Sequence, residues 1–238
     1  MHRLHDYSFT MRRTLGSKLI IQIVLFVAFG LLLFLSAGTL RWPAGWVFLA
    51  GMGGIGLAGS LWLARHDPAL FAERLSTGFQ STQKTRDKVL IATMFVLWSG
   101  WFVLMALDAA RFRWSHIPVW VQAVGAILIA LHAYIGYRTL RENSFAAPAV
   151  KIQTERGHRV VSTGPYAYVR HPMYAGTLLY IIGAPLLLGS WYGLAAAPLT
   201  AAILAMRAVL EERALACGLP GYRDYAARVR YRLIPCIW

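Results

Sequence analysis

Acidic residues and cysteines are scarce in this chain of 238 residues, which holds only 10 Asp and Glu against 24 Lys and Arg. Its 2 cysteines, Cys217 and Cys236, form neither a CxxC motif nor part of a cluster at metal-ligand spacing, which excludes a disulfide scaffold and a cysteine-based metal site. Hydrophobic residues make up 58% of the chain, too many for a disordered protein. A soluble nucleic-acid binder is excluded as well, because it would not keep uncharged apolar runs of about twenty residues.

Long uncharged runs decide the fold class. Four of them have the length that an α-helix needs to cross about 30 Å of hydrocarbon. A fifth, from Pro172 to Met206, is too long for one crossing, and Gly189-Ser190 near its middle predicts a turn. We predict an all-α integral membrane protein with about six transmembrane helices and a tight C-terminal helical hairpin, with spans at Leu19–Leu40, Pro43–Ala64, Val89–Leu107, Ile117–Tyr137, 172–188 and 191–210.

Lys and Arg are distributed very unevenly among the connecting segments. The N-terminal tail, the 65–88 loop, the 138–170 segment and the end of the chain from Arg207 hold 21 of the 24. The alternate connections hold only Arg41, Arg111 and Arg113. By the positive-inside rule, we predict that both termini and the two long loops lie in the cytoplasm. Most of the formal charge of +14 therefore reflects topology.

Three features inside or beside the apolar runs look functional but have simpler interpretations. Gly54, Gly56 and Gly59 spell GxGxxG, yet a dinucleotide fingerprint works only as a strand-to-helix turn, so we interpret these glycines as helix-packing positions. His132 lies within the fourth span and is interpreted as a hydrogen-bonded packing residue. Asp108, beside a non-cytoplasmic loop, is interpreted as an interfacial residue.

Two segments at the cytoplasmic face carry candidate chemistry. In the polar 142–174 stretch, Pro172 begins a helix whose first amides can bind an anion, and His171 can donate to one. The stretch also fits a basic surface cap with a proline helix start. Glu211 and Glu212 stand at the negative end of the last span, where a cation must compensate them, either Arg207 or a bound ligand. Carboxylate, arginine, histidine and tyrosines together suit a zwitterionic or cationic cofactor with an adenine ring.

These residues also carry a family resemblance. The chain resembles the isoprenylcysteine carboxyl methyltransferase family, within the wider group of integral-membrane methyltransferases that includes phospholipid methyltransferases. The resemblance covers about residues 138–238. Its carriers are Gln153, the segment 158–161, the TGPYAYVRHPMYAG stretch from Thr163 to Gly176, Arg207 with Glu211-Glu212, and Tyr222, Tyr225 and Val229.

The resemblance implies that S-adenosylmethionine is the cofactor, bound at the cytoplasmic membrane surface in a pocket that the C-terminal segment closes. Residues 1–238 would form a single membrane domain, with four N-terminal spans and a lipid entrance over 1–137 and the cofactor-binding and catalytic region over 138–238. Arg207 matches an arginine that faces the substrate carboxylate. The implied cofactor contacts are Gln153, His158, Arg159, Val160, Val161, Tyr166, His171, Pro172, Met173, Tyr174 and one or both of Glu211 and Glu212.

The implied activity is methyl transfer to a lipophilic or prenylated acceptor from the membrane, with no metal and no nucleic acid. An isoprenylcysteine-like carboxylate would need no general base, and Arg207 would position it. A phospholipid amine or a phenolic lipid would need deprotonation, for which His171 or a tyrosine is the candidate. The C-terminal segment is also similar to that of NADPH-dependent sterol-type reductases, which remain the alternative.

Overall fold

The computed structural model describes residues 2–75, 85–147 and 152–238, and within those ranges every regular element is helical. Lys84 and Lys151, which belong to the predicted basic segments, lie outside the described residues. A π-helical turn at Leu107–Arg111 continues the fourth helix, and short 3-10 turns lie at Thr154–Arg156 and Gly164–Ala167. The α-helices are α1 (His2–Ala37), α2 (Pro43–His66), α3 (Pro68–Leu75), α4 (Thr85–Ala106), α5 (Val119–Glu142), α6 (Pro172–Leu188), α7 (Trp191–Ala195), α8 (Ala197–Gly218) and α9 (Tyr222–Arg228).

The apolar helices confirm the predicted fold class, an all-α integral membrane protein. In the described part of the chain, five segments are long and apolar enough to cross a membrane, and α6 is a shorter apolar helix of 17 residues. At about 1.5 Å per residue α6 spans about 25 Å, slightly less than the hydrocarbon thickness. The five segments are Ile20–Ala37, Pro43–His66, Ala92–Arg111, Val119–Glu142 and Trp191–Gly218.

Two helices, α1 and α8, extend furthest beyond the predicted spans. α1 begins at His2, so the apolar run that starts at Leu19 is the C-terminal part of a longer helix. α8 continues to Gly218 instead of ending at residue 210, because its last turns consist of strong helix formers. It stops before Pro220, which disfavours helical geometry at the preceding residue. As a result, Arg207 and both glutamates lie on one continuous helix.

The predicted turn at Gly189-Ser190 is present. Gly189 adopts a left-handed φ of 90°, which favours glycine, and its N–H donates to Pro185 O at 3.0 Å. Ser190 caps α7 by accepting the Gly193 N–H at 2.8 Å. The last span consists of two helices rather than one, because Pro198 in the first turn of α8 has no N–H to continue α7.

Asp108, near the end of the membrane-length segment Ala92–Arg111, is fully buried against this hairpin. Its Oδ2 accepts hydrogen bonds from Ser115 Oγ at 2.7 Å, Ser190 Oγ at 2.5 Å and the Tyr192 N–H at 3.3 Å. These donors satisfy one oxygen of the buried carboxylate, whereas Oδ1 is buried without a hydrogen-bond partner among the described residues. Asp108 therefore ties the end of α4 to the turn between α6 and α7.

α5 and α6 pack antiparallel at very short range. A Cβ on Gly125 would lie 2.6 Å from Gly183 O, and a Cβ on Gly183 would lie 2.8 Å from Gly125 O. Small residues permit such close backbone contact between membrane helices. His132 lies in the same interface, where its ring contacts Tyr180 with centroids 5.3 Å apart, and its buried Nδ1 has no hydrogen-bond partner among the described residues. These contacts agree with a packing role for His132.

The GxGxxG glycines are helical, as expected, but they do not pack as predicted. Gly54, Gly56 and Gly59 lie within α2, and no described atom of the chain comes within 4 Å of a Cβ built on any of them. The buried face of α2 is formed instead by other residues, among them Phe48 and Leu49. The glycines lie on another face of that helix. The prediction that they pack closely against a neighbouring helix is therefore wrong among the described residues.

The α5–α6 contact predicts opposite effects for two glycines of one helix. Gly125→Ala should destabilise the protein by about 1–3 kcal/mol, because its methyl group would overlap the α6 backbone. Gly136→Ala, with nothing within 4 Å of its Cβ, should be neutral or slightly stabilising because alanine favours the helix. Thermal unfolding of the detergent-solubilised variants tests this. Equal unfolding temperatures for the two variants would contradict the close contact.

Candidate active site

One cavity of about 350 Å³ lies between the loops and the ends of the helices, a volume typical of small-ligand sites. Its walls come from the two segments that the sequence singled out and from further helices. Among the described residues it is lined by Arg74, Met94, Asn143, Phe145, Ala146, Ala147, His158, Arg159, Val160, Val161, Tyr166, Arg170, His171, Pro172, Met173, Tyr174, Thr177, Leu204, Arg207, Glu211, Leu215, Leu219, Tyr222 and Tyr225.

Most of the predicted site residues meet in this cavity. Gln153 and Glu212 are the two that do not line it. The predicted residues that do are His158, Arg159, Val160, Val161, Tyr166, His171, Pro172, Met173, Tyr174, Arg207 and Glu211.

One face of α8 forms a wall of the cavity. Leu204, Arg207, Glu211 and Leu215 follow one another at spacings of three or four residues, which places them on the same side of a helix. Tyr174 of α6 links the two charged residues: its hydroxyl donates to Glu211 Oε2 at 2.7 Å and accepts from Arg207 Nε at 3.0 Å. The cavity therefore presents a carboxylate and a guanidinium side by side.

Glu212 has a different role from its neighbour. Its side chain is only 13% exposed and accepts from Arg170 Nε at 2.5 Å and Arg232 Nε at 2.8 Å, with His171 Nε2 at 3.3 Å. Consecutive residues of a helix point in directions about 100° apart, so Glu211 faces the cavity while Glu212 faces the C-terminal segment. The sequence did not decide which of these two adjacent carboxylates faces a ligand. In the structure they have separate partners.

Arg170 and His171 hold the C-terminal segment in place. Their backbone N–H groups donate to the carbonyl oxygens of Tyr231 and Arg232, each at 2.9 Å. The Arg170 guanidinium also donates to Val229 O at 2.8 Å and Arg230 O at 2.9 Å. The His171 N–H is therefore occupied by the chain itself, and the motif before α6 closes the cavity rather than offering that amide to an anion.

Three tyrosines lie where the C-terminal helix α9 covers the cavity. The Tyr225 hydroxyl donates to Tyr166 O at 2.8 Å, and burial raises the pKa of Tyr225 to about 12, so this phenol stays neutral. The Tyr166 hydroxyl accepts from Asn143 Nδ2 at 2.9 Å. The Tyr222 hydroxyl is buried and has no hydrogen-bond partner among the described residues, although it belongs to the cavity wall. Such an orphaned group is expected where a ligand binds.

Gln153 supports the loop behind the cavity. It is fully buried, its Nε2 donates to Phe145 O at 3.0 Å, and its Oε1 accepts from Arg156. Its backbone N–H donates to His158 Nδ1 at 3.3 Å, and the His158 ring stacks on Phe145 with centroids 4.5 Å apart. Gln153 thus orients His158, which does line the cavity.

Sequence reasoning missed the contribution of the N-terminal half. Arg74 of α3 and Met94 of α4 both line the cavity, although neither lies in a recognisable motif. Arg74 is one of several basic residues of its loop, and Met94 is one of many apolar residues in a span. Only the packing of α3 and α4 against the later segments distinguishes them from their neighbours.

Membrane-length helices with a largely apolar cavity at their ends, into which a few charged side chains converge, are typical of a binding site for a lipophilic ligand. Residues 120–217 match the sequence profile of the phospholipid methyltransferase family, a stretch that runs from α5 into α8 and contains Arg170, Arg207 and Glu211. Over these residues the chain matches the family of isoprenylcysteine carboxyl methyltransferase-like membrane methyltransferases, which confirms the resemblance seen in the sequence. Comparison with curated proteins gave no match.

The match supports a membrane methyltransferase that acts on a lipid-type substrate. Methyltransferases of this family typically use S-adenosylmethionine.

The separate partners of Glu211 and Glu212 predict different variant phenotypes. Glu212→Gln should lower stability by about 3 kcal/mol, because it leaves the buried Arg170 guanidinium without its carboxylate. Glu211→Gln keeps an acceptor for Tyr174 and should destabilise the protein less. Thermal unfolding and limited proteolysis of the C-terminal segment in detergent test this. If both variants lose the same stability and protection, the proposed division is wrong.

His158 predicts a pH dependence of the cavity wall. Burial, and secondarily the charge of Arg156, lower the pKa of His158 below its usual value near 6.5. A lowered pKa means that the stabilising contact with the Gln153 N–H is fully present above that usual value and is lost as pH falls through the folded pKa. Stability should therefore decline on acidification from pH 7.5 to 5, and less so for His158→Asn, whose amide oxygen accepts without titrating. Identical pH profiles would contradict this role.

Proposed function

We propose that this protein transfers a methyl group from S-adenosylmethionine to a lipophilic carboxylate, of the isoprenylcysteine type, at the cytoplasmic surface of the membrane. The observation that carries the proposal is the pairing of Glu211 and Arg207 on one wall of a cavity that reaches from the loops to membrane helices. A carboxylate suits a cationic cofactor, and a guanidinium suits an anionic acceptor.

The residues present fit S-adenosylmethionine. Glu211 offers an anionic partner for an ammonium group, and the faces of Tyr166 and Tyr222 offer surfaces for a sulfonium or an adenine ring. The Tyr222 hydroxyl is buried without a partner in the described structure, so a ligand would satisfy it. S-adenosylmethionine supplies an activated methyl group when bound. Neither Gln153 nor Glu212 would contact it directly in this proposal; they would hold His158 and the C-terminal segment in position.

The protein would contribute mainly positioning and exclusion of water. Arg207 would orient the acceptor carboxylate, and Tyr174 would hold Arg207 and Glu211 at a fixed separation. The C-terminal segment, clamped by Arg170, would keep bulk water from the cavity. A carboxylate acceptor needs no general base, which agrees with the orientation of His171 toward Glu212 rather than toward an acceptor.

Contacts among the basic segments support the cytoplasmic placement of the site. Arg74 of the 65–88 loop donates to Ala146 O at 2.8 Å, and Arg156 lies 3.8 Å from Asp67. The C-terminal Tyr225 contacts Tyr166 of the 138–170 segment. The long basic segments thus meet at one end of the helices. By the positive-inside rule this end, with both termini, would face the cytoplasm.

Methyl-labelled S-adenosylmethionine, incubated with purified protein and a total lipid extract, tests the activity. We expect one labelled lipid class whose label is released by mild base, as for a methyl ester. Base-stable label on a phospholipid amine or a phenolic lipid would contradict the carboxylate assignment. Oxidation of NADPH without label transfer would favour the reductase alternative. The presence of Glu211 in the cavity argues against that alternative, because its carboxylate would repel the phosphates of NADPH.

Arg207→Gln tests the assignment of the two charges. With a carboxylate acceptor its KM should rise about 10- to 100-fold, because the charge-assisted hydrogen bond is lost, while the Kd of S-adenosylmethionine should change little. Glu211→Gln should instead weaken cofactor binding, measured by calorimetry in detergent. A rise in cofactor Kd for Arg207→Gln larger than that for Glu211→Gln would contradict the assignment.

A further inference from the structure

Three turns meet at the end of the helices opposite the cavity: the α1–α2 turn, the 112–118 loop and the α6–α7 turn. A Cβ built on Gly38, in the first turn, would lie 3.7 Å from Arg111 Nη1, so that guanidinium lies over the end of α1. Asp108 Oδ2 accepts hydrogen bonds from Ser115 Oγ at 2.7 Å and Ser190 Oγ at 2.5 Å. These contacts hold the three turns together.

The surface of these turns carries uncompensated positive charge. Arg41, Arg111 and Arg113 are all exposed, and among the described residues none of their guanidinium groups has an ion pair or a hydrogen bond. Asp108 is the one acidic residue of the three turns and the helix ends that they join, and it is fully buried. These are also the three basic residues that the positive-inside rule does not explain. Such a surface favours an anionic ligand.

Aromatic side chains stand beside these arginines. Phe112 and Trp114 stack with ring centroids 4.8 Å apart, and Trp114 contacts Tyr192 edge-on at 5.7 Å. Each of the three is more than half exposed. Trp and Tyr concentrate at the level of the lipid headgroups in membrane proteins, so this surface has the composition of a headgroup contact. The arginine–aromatic surface consists of Arg41, Arg111, Phe112, Arg113, Trp114 and Tyr192.

The backbone holds the 112–114 segment in a defined conformation. Arg113 has a left-handed φ of 54°, which is uncommon for a residue other than glycine. The Phe112 N–H donates to Leu107 O at 2.8 Å and the Trp114 N–H donates to Asp108 O at 3.0 Å, on either side of Arg113. An unfavourable conformation persists where the surrounding structure fixes it. The surface is therefore preformed.

We propose that the arginine–aromatic surface binds the headgroup of an anionic phospholipid. Arg41 and Arg111, on neighbouring turns, bind the phosphate, because a guanidinium matches its oxygens in pairs. A zwitterionic headgroup fits less well, because its own cation would meet arginines and no exposed carboxylate. A soluble anion would leave the aromatic rings uncovered, whereas the glycerol and upper acyl chain of a lipid pack on them. This ligand is separate from the cofactor and the acceptor, which belong to the other end of the helices.

Photoreactive lipids test the proposal on the full chain reconstituted in bilayers. One preparation contains phosphatidylglycerol with a diazirine near the headgroup, and the other contains phosphatidylcholine with the same acyl chains. Mass spectrometry of peptides locates the label, and peptides from the cavity end serve as the internal reference. The test variant is Arg41→Gln/Arg111→Gln. The matched control is Arg65→Gln/Arg213→Gln, which removes two exposed charges at the cavity end.

We expect phosphatidylglycerol to label the peptides of the arginine–aromatic surface at least about 5-fold more than phosphatidylcholine does, from the attraction of each arginine to anionic lipid. The excess should disappear in Arg41→Gln/Arg111→Gln and persist in the control. It should also fall at high salt in the wild-type protein, because interactions between exposed charges are screened. None of these measurements depends on methyl transfer.

Equal labelling by the two lipids would overturn the inference, and so would an excess that the double variant retains. Chemical cross-links between these peptides of two copies, in place of lipid label, would also overturn it, because a second copy of the chain would then cover the surface. Thermal unfolding establishes that the double variant is folded. If it is not, the wild-type salt series decides, and an excess that high salt leaves unchanged contradicts the proposal.

Discussion

The ion cluster around Glu212 is the interaction on which the closed cavity depends. Its carboxylate joins Arg170, which precedes α6, to Arg232 of the C-terminal segment; the contact with Arg170 is largely shielded from water, and the Arg232 side chain is partly exposed. Without that carboxylate, two guanidinium groups would face each other in a partly buried position. Together with the hydrogen bonds from Arg170 and His171 to the C-terminal segment, this carboxylate joins the start of α6 and the end of α8 to the segment that covers them.

The cluster also explains why two adjacent carboxylates are compatible with the end of a membrane helix. Glu212 is compensated within the protein, whereas Glu211 faces the cavity and is linked through Tyr174 to Arg207. One carboxylate serves the closure of the site and the other is available to a ligand. Since α8 is continuous past residue 210, the two functions remain in a fixed angular relation.

The close contact of α5 and α6 positions the loop that follows α5 and the motif that precedes α6. Gly125 and Gly183 bring the two backbones together, and α6 then delivers the Arg170-His171-Pro172 motif to the end of α5, where Asn143 begins the loop side of the cavity. Because the loop packs on this rigid pair, its polar side chains meet residues of α3 and α9 that are distant in sequence. The site is therefore assembled from both halves of the chain.

Hydrophobic run lengths, the Gly-Ser turn and the motif residues determined the fold class, the hairpin and most of the cavity wall, because these depend on local sequence and on the thickness of a bilayer. Tertiary structure alone decided which glutamate faces the cavity. Glu211 and Glu212 are identical side chains at adjacent positions of α8, and they differ only in the direction in which each leaves the helix. Tertiary structure also decided that Gln153 lies behind the cavity wall, that Asp108 is buried against the turn between α6 and α7, and that Arg74 lines the cavity. Those outcomes depend on contacts between segments far apart in the chain, which no local pattern records.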